Sequence, residues 1–233
     1  TSMTADKRKY GFRRAFTLRP HLLKGILSIS GWTMVQSFIS VSIWFIFFLA
    51  IEHLGERPLA VTNIVRNISA LLIMVISAFA TTAGALISNQ IGAGEQRCLF
   101  KTCGMTLKLT YAILIPLLII LCLFPESVLR AFTDSPSLIA ASVNSVYVMA
   151  SSTLIMAPSF ILFNAVSGTG NTRAGFIMEM ISLAVYTAVI YYGIIRLKPD
   201  VALCWFSEHV YGVTLIFLAW WYLKSGKWRG KKV

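Results

Sequence analysis

The feature that most constrains this chain of 233 residues is a series of six apolar stretches separated by short polar connections. They cover approximately residues 26–51, 59–87, 107–124, 142–166, 176–195 and 201–223. The hydrocarbon core of a bilayer is about 30 Å thick, and a helix needs roughly 20 apolar residues to cross it. The sequence therefore predicts an all-α integral membrane protein whose residues 26–223 form a bundle of six transmembrane helices.

The composition supports this fold class and argues against several others. Hydrophobic residues make up 57% of the chain and charged residues 13%, with a mean hydropathy of +0.73. Soluble domains contain about 25% charged residues, so a soluble enzyme, a disordered chain and a small disulfide scaffold are poor fits. The sequence contains neither a GxSxG nor an HExxH motif. The four cysteines form no CxxC pair, so we expect no catalytic function, metal or cofactor.

Basic residues are distributed unevenly along the chain, whose net charge is +12. Sixteen of the 21 lysines and arginines lie in the two terminal segments and in the loops on the same side, against four on the opposite side. Positively charged loops stay in the cytoplasm. We therefore expect a multi-pass protein of the inner (plasma) membrane, with a basic cytoplasmic linker over residues 1–25 and a basic cytoplasmic tail over residues 224–233. Its partner would be the lipid bilayer and not nucleic acid.

Two of the connections on this side share a sequence pattern. GAGEQR at residues 92–97 and GTGNTR at residues 168–173 both have the form GxGxxR, and they follow the second and fourth spans. Glycine after a helix permits a left-handed backbone. The pattern predicts a tight turn between helices rather than a dinucleotide site, which would require a preceding strand.

An apolar span that ends in NQIGAGEQ, followed by one that ends in AVSGTGNTR, resembles the C-terminal half of a multidrug and toxic compound extrusion (MATE) transporter. The resemblance covers the whole chain. It implies that the six helices are the second lobe of a twelve-helix transporter, with an N-terminal six-helix lobe as partner. It also implies an antiporter that exports cationic or amphipathic compounds, including small organic cations, in exchange for Na⁺ or H⁺ by alternating access.

The chain departs from the family pattern in one respect. Many members carry one acidic residue in the seventh span and another in the tenth. Here Gln36 lies in the corresponding region of the first span, and Met156 and Pro158 lie in that of the fourth. Coupling would then depend on the other lobe or on different residues of this one.

Three ionisable residues lie inside spans, where charge is costly and often functional. Arg66 and Glu208 lie at about the same depth, each seven residues from its predicted span start. This spacing suggests an ion pair between them. Alternatively, Glu208, helped by His209, binds a proton or cation and releases Arg66 during transport. Glu179 is either an interfacial carboxylate near the cytoplasmic end of the fifth span or part of a proton relay or cavity.

Polar residues form a stripe along the second span. Asn63, Arg66, Asn67 and Ala70 have i, i+3, i+4, i+7 spacing and share one helix face, which we expect to point into the bundle. Such amides either line a cavity or join helices. The candidate cavity-lining residues are Gln36, Asn63, Asn67, Asn144, Tyr147 and Asn164.

Pro158 lies inside the fourth predicted span. Proline removes an intrahelical hydrogen bond and bends a helix. Pro158 is therefore either a hinge for alternating access or a static kink.

Two other functions fit a six-helix membrane protein. A lipid or polysaccharide flippase of related architecture would need more fixed cationic groups in its cavity, whereas Arg66 is the one Lys or Arg deep inside a predicted span, Lys108 lying at the very start of the third. A non-transporting membrane scaffold would need no intramembrane ion site.

Overall fold

The computed structural model describes residues 20–226 and Trp228, and in this part of the chain all regular structure is helical. The helices are α1 (Pro20–Glu52), α2 (Glu56–Gly92), α3 (Leu99–Leu123), α4 (Pro125–Leu129), α5 (Pro136–Gly168), α6 (Thr172–Val189), α7 (Val201–Cys204) and α8 (Ser207–Ser225). A 3₁₀ turn, Gln96–Cys98, precedes α3, and a π-helix, Ile190–Arg196, continues α6.

The predicted six-helix membrane bundle is confirmed. Within the described residues, six helical segments are long and apolar enough to cross a bilayer. They are Met34–Glu52, Glu56–Gly92, Gln96–Leu123, Pro136–Gly168, Thr172–Arg196 and Val201–Ser225. Helix α1 begins at Pro20, inside the segment predicted as a linker. The remainder of that segment, and residues 227 and 229–233 of the predicted tail, lie outside the described residues.

Helix α5 lies at the centre of the bundle and packs against α2, α3 and α8. Its last residue, Gly168, touches the backbone of α2, because a Cβ atom added there would lie 2.5 Å from the carbonyl oxygen of Gly84. Buried Ala80, Ala83 and Ala165 continue this contact. Small residues allow close approach of membrane helices, which is why glycine is required at this crossing.

The two GxGxxR segments form turns, as predicted. In each, the second glycine has a left-handed backbone, with φ of 81° at Gly94 and 77° at Gly170. The side chain of Asn171 then caps α6 by accepting a hydrogen bond from the backbone N–H of Ala174, at 3.3 Å. These turns connect α2 to α3 and α5 to α6.

Helix α1 packs on the α6 side of the bundle. Phe47 and Ile51 of α1 are fully buried and share an apolar cluster with Tyr186 and Ile190. Other large apolar side chains of α1, including Met34 and Phe38, are exposed on the surface of the six-helix bundle. Because the α1–α6 contact fixes the rotation of α1, it places Ser40 opposite α6.

Candidate functional site

The two glutamates inside the spans face one cavity of about 200 Å³ between α1, α2, α5, α6 and α8. Glu179 lies on α6 and Glu208 in the first turn of α8, and each is only 5% exposed. The cavity is lined by Ser40, Trp44, Ile73, Met156, Phe160, Glu179, Leu183, Tyr186, Glu208 and Tyr211. Apart from the carboxyl and hydroxyl groups, this lining is aliphatic or aromatic.

Glu179 is held by hydroxyl groups from two other helices. Its Oε1 accepts a hydrogen bond from Ser40 Oγ of α1 at 3.0 Å and another from Tyr211 Oη of α8 at 2.9 Å. This burial fits the cavity interpretation of Glu179 and not an interfacial carboxylate that extends to water.

Glu208 has the complementary arrangement. Its Oε1 accepts a hydrogen bond from Tyr186 Oη of α6 at 2.7 Å. Helix α6 therefore supplies Glu179 and Tyr186, helix α8 supplies Glu208 and Tyr211, and each carboxyl group accepts from the tyrosine of the opposite helix. The two tyrosine rings also touch edge to face, with centroids 5.8 Å apart.

The remaining carboxyl oxygens, Oε2 of Glu179 and of Glu208, have no hydrogen-bond partner among the described residues. Among the described residues that line this cavity, none is a lysine, arginine or histidine. A buried carboxylate is costly unless a proton or a cation neutralises it. The arrangement is therefore suited to bind a proton or a small cation.

Comparison with known proteins identifies the family. The family model MatE matches residues 33–192, which is more than half of the chain and includes both glycine turns. The chain belongs to the MatE family. This confirms the resemblance drawn from the sequence, and it makes the protein a member of a family of membrane transporters rather than enzymes.

Several solved transporters have the same fold. The Vibrio cholerae MATE transporter VcmN in its bent form aligns with a TM-score of 0.80 and 15% identity, over 90% of this chain and 48% of that one. An outward-facing multidrug resistance MATE family transporter of the MOP superfamily aligns with a TM-score of 0.77 and 15% identity, over 88% and 46%. A MOP superfamily transporter from Pyrococcus furiosus aligns with a TM-score of 0.75 and 15% identity, over 85% of this chain and 44% of that one. The chain thus spans about half the length of these transporters. No curated protein matches the sequence.

Within this MatE fold, Arg66 and Glu208 do not form the predicted ion pair. The Arg66 side chain is exposed, and its guanidinium lies over the ring of Phe48, 4.9 Å from the centroid. Glu208 is buried against Tyr186 instead. Equal depth was the basis of the prediction, but depth does not determine which side of a helix a residue occupies. The release of Arg66 by Glu208 has no structural basis here.

His209 does not join the carboxyl cavity of this MatE lobe, so the prediction that it assists Glu208 also lacks support. Successive residues of a helix point about 100° apart. His209 consequently turns towards α5, where its Nε2 lies 2.9 Å from Ser151 Oγ, and its ring stacks on Phe206.

The polar stripe of α2 lies on the outside of the lobe, contrary to the prediction that it points into the bundle. Arg66, Asn67 and Ala70 are exposed, while Val65 and Ile68 on the opposite face are buried in the core. This orientation follows from packing: the apolar face of α2 contacts α5, which leaves the polar face outside.

The other candidate lining residues also lie away from the 200 Å³ cavity. Asn63 and Asn164 donate to carbonyl oxygens of their own helices, and Gln36 is half-buried one turn before Ser40. Asn144 and Tyr147 are exposed on α5. The roles of these residues at a surface between two lobes, and of Pro158 as a hinge in the unbroken helix α5, stay predictions.

Two polar residues of the cavity, Tyr186 and Tyr211, were not identified as site residues from the sequence. A signal for the tyrosines was present. Glu179 and Tyr186 are seven residues apart, and Glu208 and Tyr211 three apart, so each pair shares a helix face.

Proposed function

We propose that the chain is the C-terminal lobe of a cation-coupled antiporter that exports cationic or amphipathic compounds in exchange for Na⁺ or H⁺. The observation that carries this proposal is the pair of buried carboxyl groups that face one cavity, whose described lining contains no lysine, arginine or histidine. Such a cavity binds a positive charge and releases it when the site opens to the other side of the membrane. Ionisable groups inside membrane spans commonly serve this purpose.

In this proposal Glu179 and Glu208 bind the coupling ion. Small organic cations pass through a cleft between this lobe and an N-terminal six-helix lobe, where the exposed polar faces of α2 and α5 meet the substrate. Pro158 acts as the hinge of α5. The positive charge of the terminal segments and of the loops beside them favours an inner-membrane orientation with both termini in the cytoplasm.

The proposal is tested by efflux of ethidium from proteoliposomes that contain the assembled transporter, this lobe with its partner lobe. Efflux is measured under separate Na⁺ and H⁺ gradients for the wild type, Glu179→Gln and Glu208→Gln. We expect each substitution to abolish gradient-driven efflux, because glutamine cannot take up the coupling ion. Glu95→Gln is the matched control, since Glu95 is exposed in the turn before α3. Gradient-driven efflux that survives both cavity substitutions would contradict the proposal.

One observation favours a second function. The exposed guanidinium of Arg66 within a span would suit an anionic headgroup, as in a lipid or polysaccharide flippase of related architecture. That function predicts no efflux of ethidium under either gradient. It also predicts ATP-independent movement of a fluorescent anionic lipid across the bilayer, lost in Arg66→Gln. A non-transporting scaffold predicts neither activity.

A further inference from the structure

The tyrosines of the cavity connect the two carboxyl groups across a helix interface. Glu179, Tyr186, Glu208 and Tyr211 form what we term the crossed clasp. Its two hydrogen bonds, of 2.9 Å and 2.7 Å, run in opposite directions between α6 and α8. Both bonds depend on the same chemical feature, a hydroxyl group that donates to a carboxyl oxygen.

We propose that the crossed clasp couples cation binding to the separation of α6 and α8. The clasp is tight while the carboxylates are charged, and it loosens when the cavity takes up a monovalent cation, H⁺ or Na⁺. Tyr186 and Tyr211 are then positioning residues, which act through the carboxylates and do not bind the transported compound. This inference rests on the proposed function of Glu179 and Glu208.

The strength of the clasp depends on charge. A hydrogen bond from a hydroxyl group to a charged carboxylate is roughly twice as strong as one to a neutral acceptor. A proton on a carboxylate removes this advantage, and a bound Na⁺ weakens it because the ion attracts the same negative charge as the hydroxyl donor. Because the rings of Tyr186 and Tyr211 pack against each other, displacement of one tyrosine also disturbs the other.

The surroundings of the clasp contain few other groups that respond to pH or to salt. Ser40 and Trp44 face it from α1, Ile73 from α2, and Met156 and Phe160 from α5, and none of these side chains is ionisable. The titratable groups in the described lining are therefore the four members of the clasp. His209, the nearest histidine along α8, bonds Ser151 outside the cavity.

The neighbouring contacts indicate which helix moves. Helix α8 is fixed against α5 at Gly212, where an added Cβ would lie 2.9 Å from Ile155 Cγ2. At the cytoplasmic end, Asn171 Nδ2 donates to Tyr222 Oη at 2.6 Å and joins α6 to α8. At the other end, α6 continues into the π-helix Ile190–Arg196, a less regular form that is frequent at functional sites. Helix α6 can thus pivot about its cytoplasmic end when the clasp loosens.

The first test measures how much cation is needed to activate efflux in the assembled transporter. H⁺ and Na⁺ are titrated in separate series for Tyr186→Phe and Tyr211→Phe. Each variant loses a donor that stabilises the cation-free carboxylate, so we expect the half-activating concentration of the coupling cation to fall about tenfold. The series that responds identifies the cation.

Tyr222→Phe is the matched control. It removes a hydroxyl group that also connects α6 to α8, but this hydroxyl bonds Asn171 and not a carboxyl group. The half-activating concentration of this variant should not change. Weaker efflux at an unchanged half-activating concentration in both cavity variants would overturn the inference.

The second test measures the helix separation directly. Spin labels are attached at Ala184→Cys of α6 and Val213→Cys of α8, both exposed, after the native cysteines have been replaced by alanine. We expect the distance between labels to lengthen by about 1–2 Å on addition of the coupling cation, as in other helix shifts. The double variant Glu179→Gln and Glu208→Gln should show the longer distance without cation.

The two proposals fail in different ways. A label distance that is the same with and without cation, in a transporter whose efflux is lost in Glu179→Gln and Glu208→Gln, would overturn the clasp and leave the proposed function intact. Gradient-driven efflux that survives in both glutamine variants would overturn the proposed function itself.

Discussion

Two helix interfaces of the same lobe are built by different means. Along the α2–α5 interface, backbones touch at Gly84 and Gly168, and the neighbouring buried residues are small. Along the α6–α8 interface, the two helices border a shared cavity, and two hydrogen bonds to carboxyl groups connect them. The first interface depends on shape and the second on charge.

The difference has a physical basis in the membrane. Lipid chains are as apolar as leucine, so helices associate there through close packing and interhelical hydrogen bonds rather than through the hydrophobic effect. Close packing of backbones allows one geometry and does not respond to ions. Hydrogen bonds to carboxyl groups change in strength when a cation arrives. The comparison therefore assigns rigidity to α2–α5 and the capacity for change to α6–α8.

The largest effect is expected for Gly168→Ala. The added Cβ would lie 2.5 Å from the carbonyl oxygen of Gly84, and a backbone atom cannot move aside as a flexible side chain can. Overpacking of this kind costs about 3 kcal/mol at the upper end of its range. We expect a clear decrease in the Tm of the detergent-solubilised transporter, measured by the fraction that remains monodisperse after heating.

Gly104→Ala provides the control for this prediction. Gly104 lies within α3, and an added Cβ would meet nothing within 4 Å. Alanine favours a helix over glycine by about 0.5–1 kcal/mol, so the Tm should stay the same or rise. An equal decrease in Tm for Gly168→Ala and Gly104→Ala would refute the view that backbone contact defines the α2–α5 interface.

An intermediate effect is expected from a double-mutant cycle at the crossed clasp. Tyr186→Phe leaves the buried Glu208 without its hydroxyl donor, whereas Glu208→Gln removes the charge that makes this bond strong. Bonds to charged groups contribute about 1.5–3 kcal/mol, so the coupling energy between the two substitutions should be about 1–2 kcal/mol. The same Tm assay, supplemented by chemical unfolding, provides the values. Strict additivity would show that the bond contributes nothing to the α6–α8 interface.

The sequence was sufficient to predict the six spans, the tight turns at Gly94 and Gly170, and the family. Each of these depends on local information, such as the length of an apolar run or a glycine at a fixed place in a motif. Glu179 and Glu208 were also identified as functional candidates, because charge inside a span is conspicuous. What could not be predicted was the rotation of one helix against another, since depth along a span does not determine direction.

The unknown rotation of the helices explains both the contacts that the sequence analysis missed and the predictions that were wrong. The partnership of Glu208 with Tyr186 requires α6 and α8 to be neighbours with these faces opposed. The contact between Gly84 and Gly168 requires a particular crossing of α2 and α5. The prediction that Arg66 and Asn67 point into the bundle was wrong for the same reason. A polar stripe distinguishes one face of a helix, but it does not show whether this lobe covers that face or leaves it exposed.

The smallest effect is expected for Arg66→Gln, which tests the same comparison from outside both interfaces. Arg66 is exposed and contacts the ring of Phe48. A cation–π contact at an exposed site contributes about 0.5 kcal/mol, so the Tm should hardly change. An ion pair with Glu208 would have given a very different result, because removal of one partner of a buried pair costs about 3–5 kcal/mol. If Arg66→Gln leaves the Tm almost unchanged and the double-mutant cycle gives a clear coupling energy between Tyr186 and Glu208, then a hydroxyl group stabilises this carboxylate. A large decrease in Tm for Arg66→Gln would show instead that the guanidinium stabilises this carboxylate. The α6–α8 interface would then depend on α2 as well.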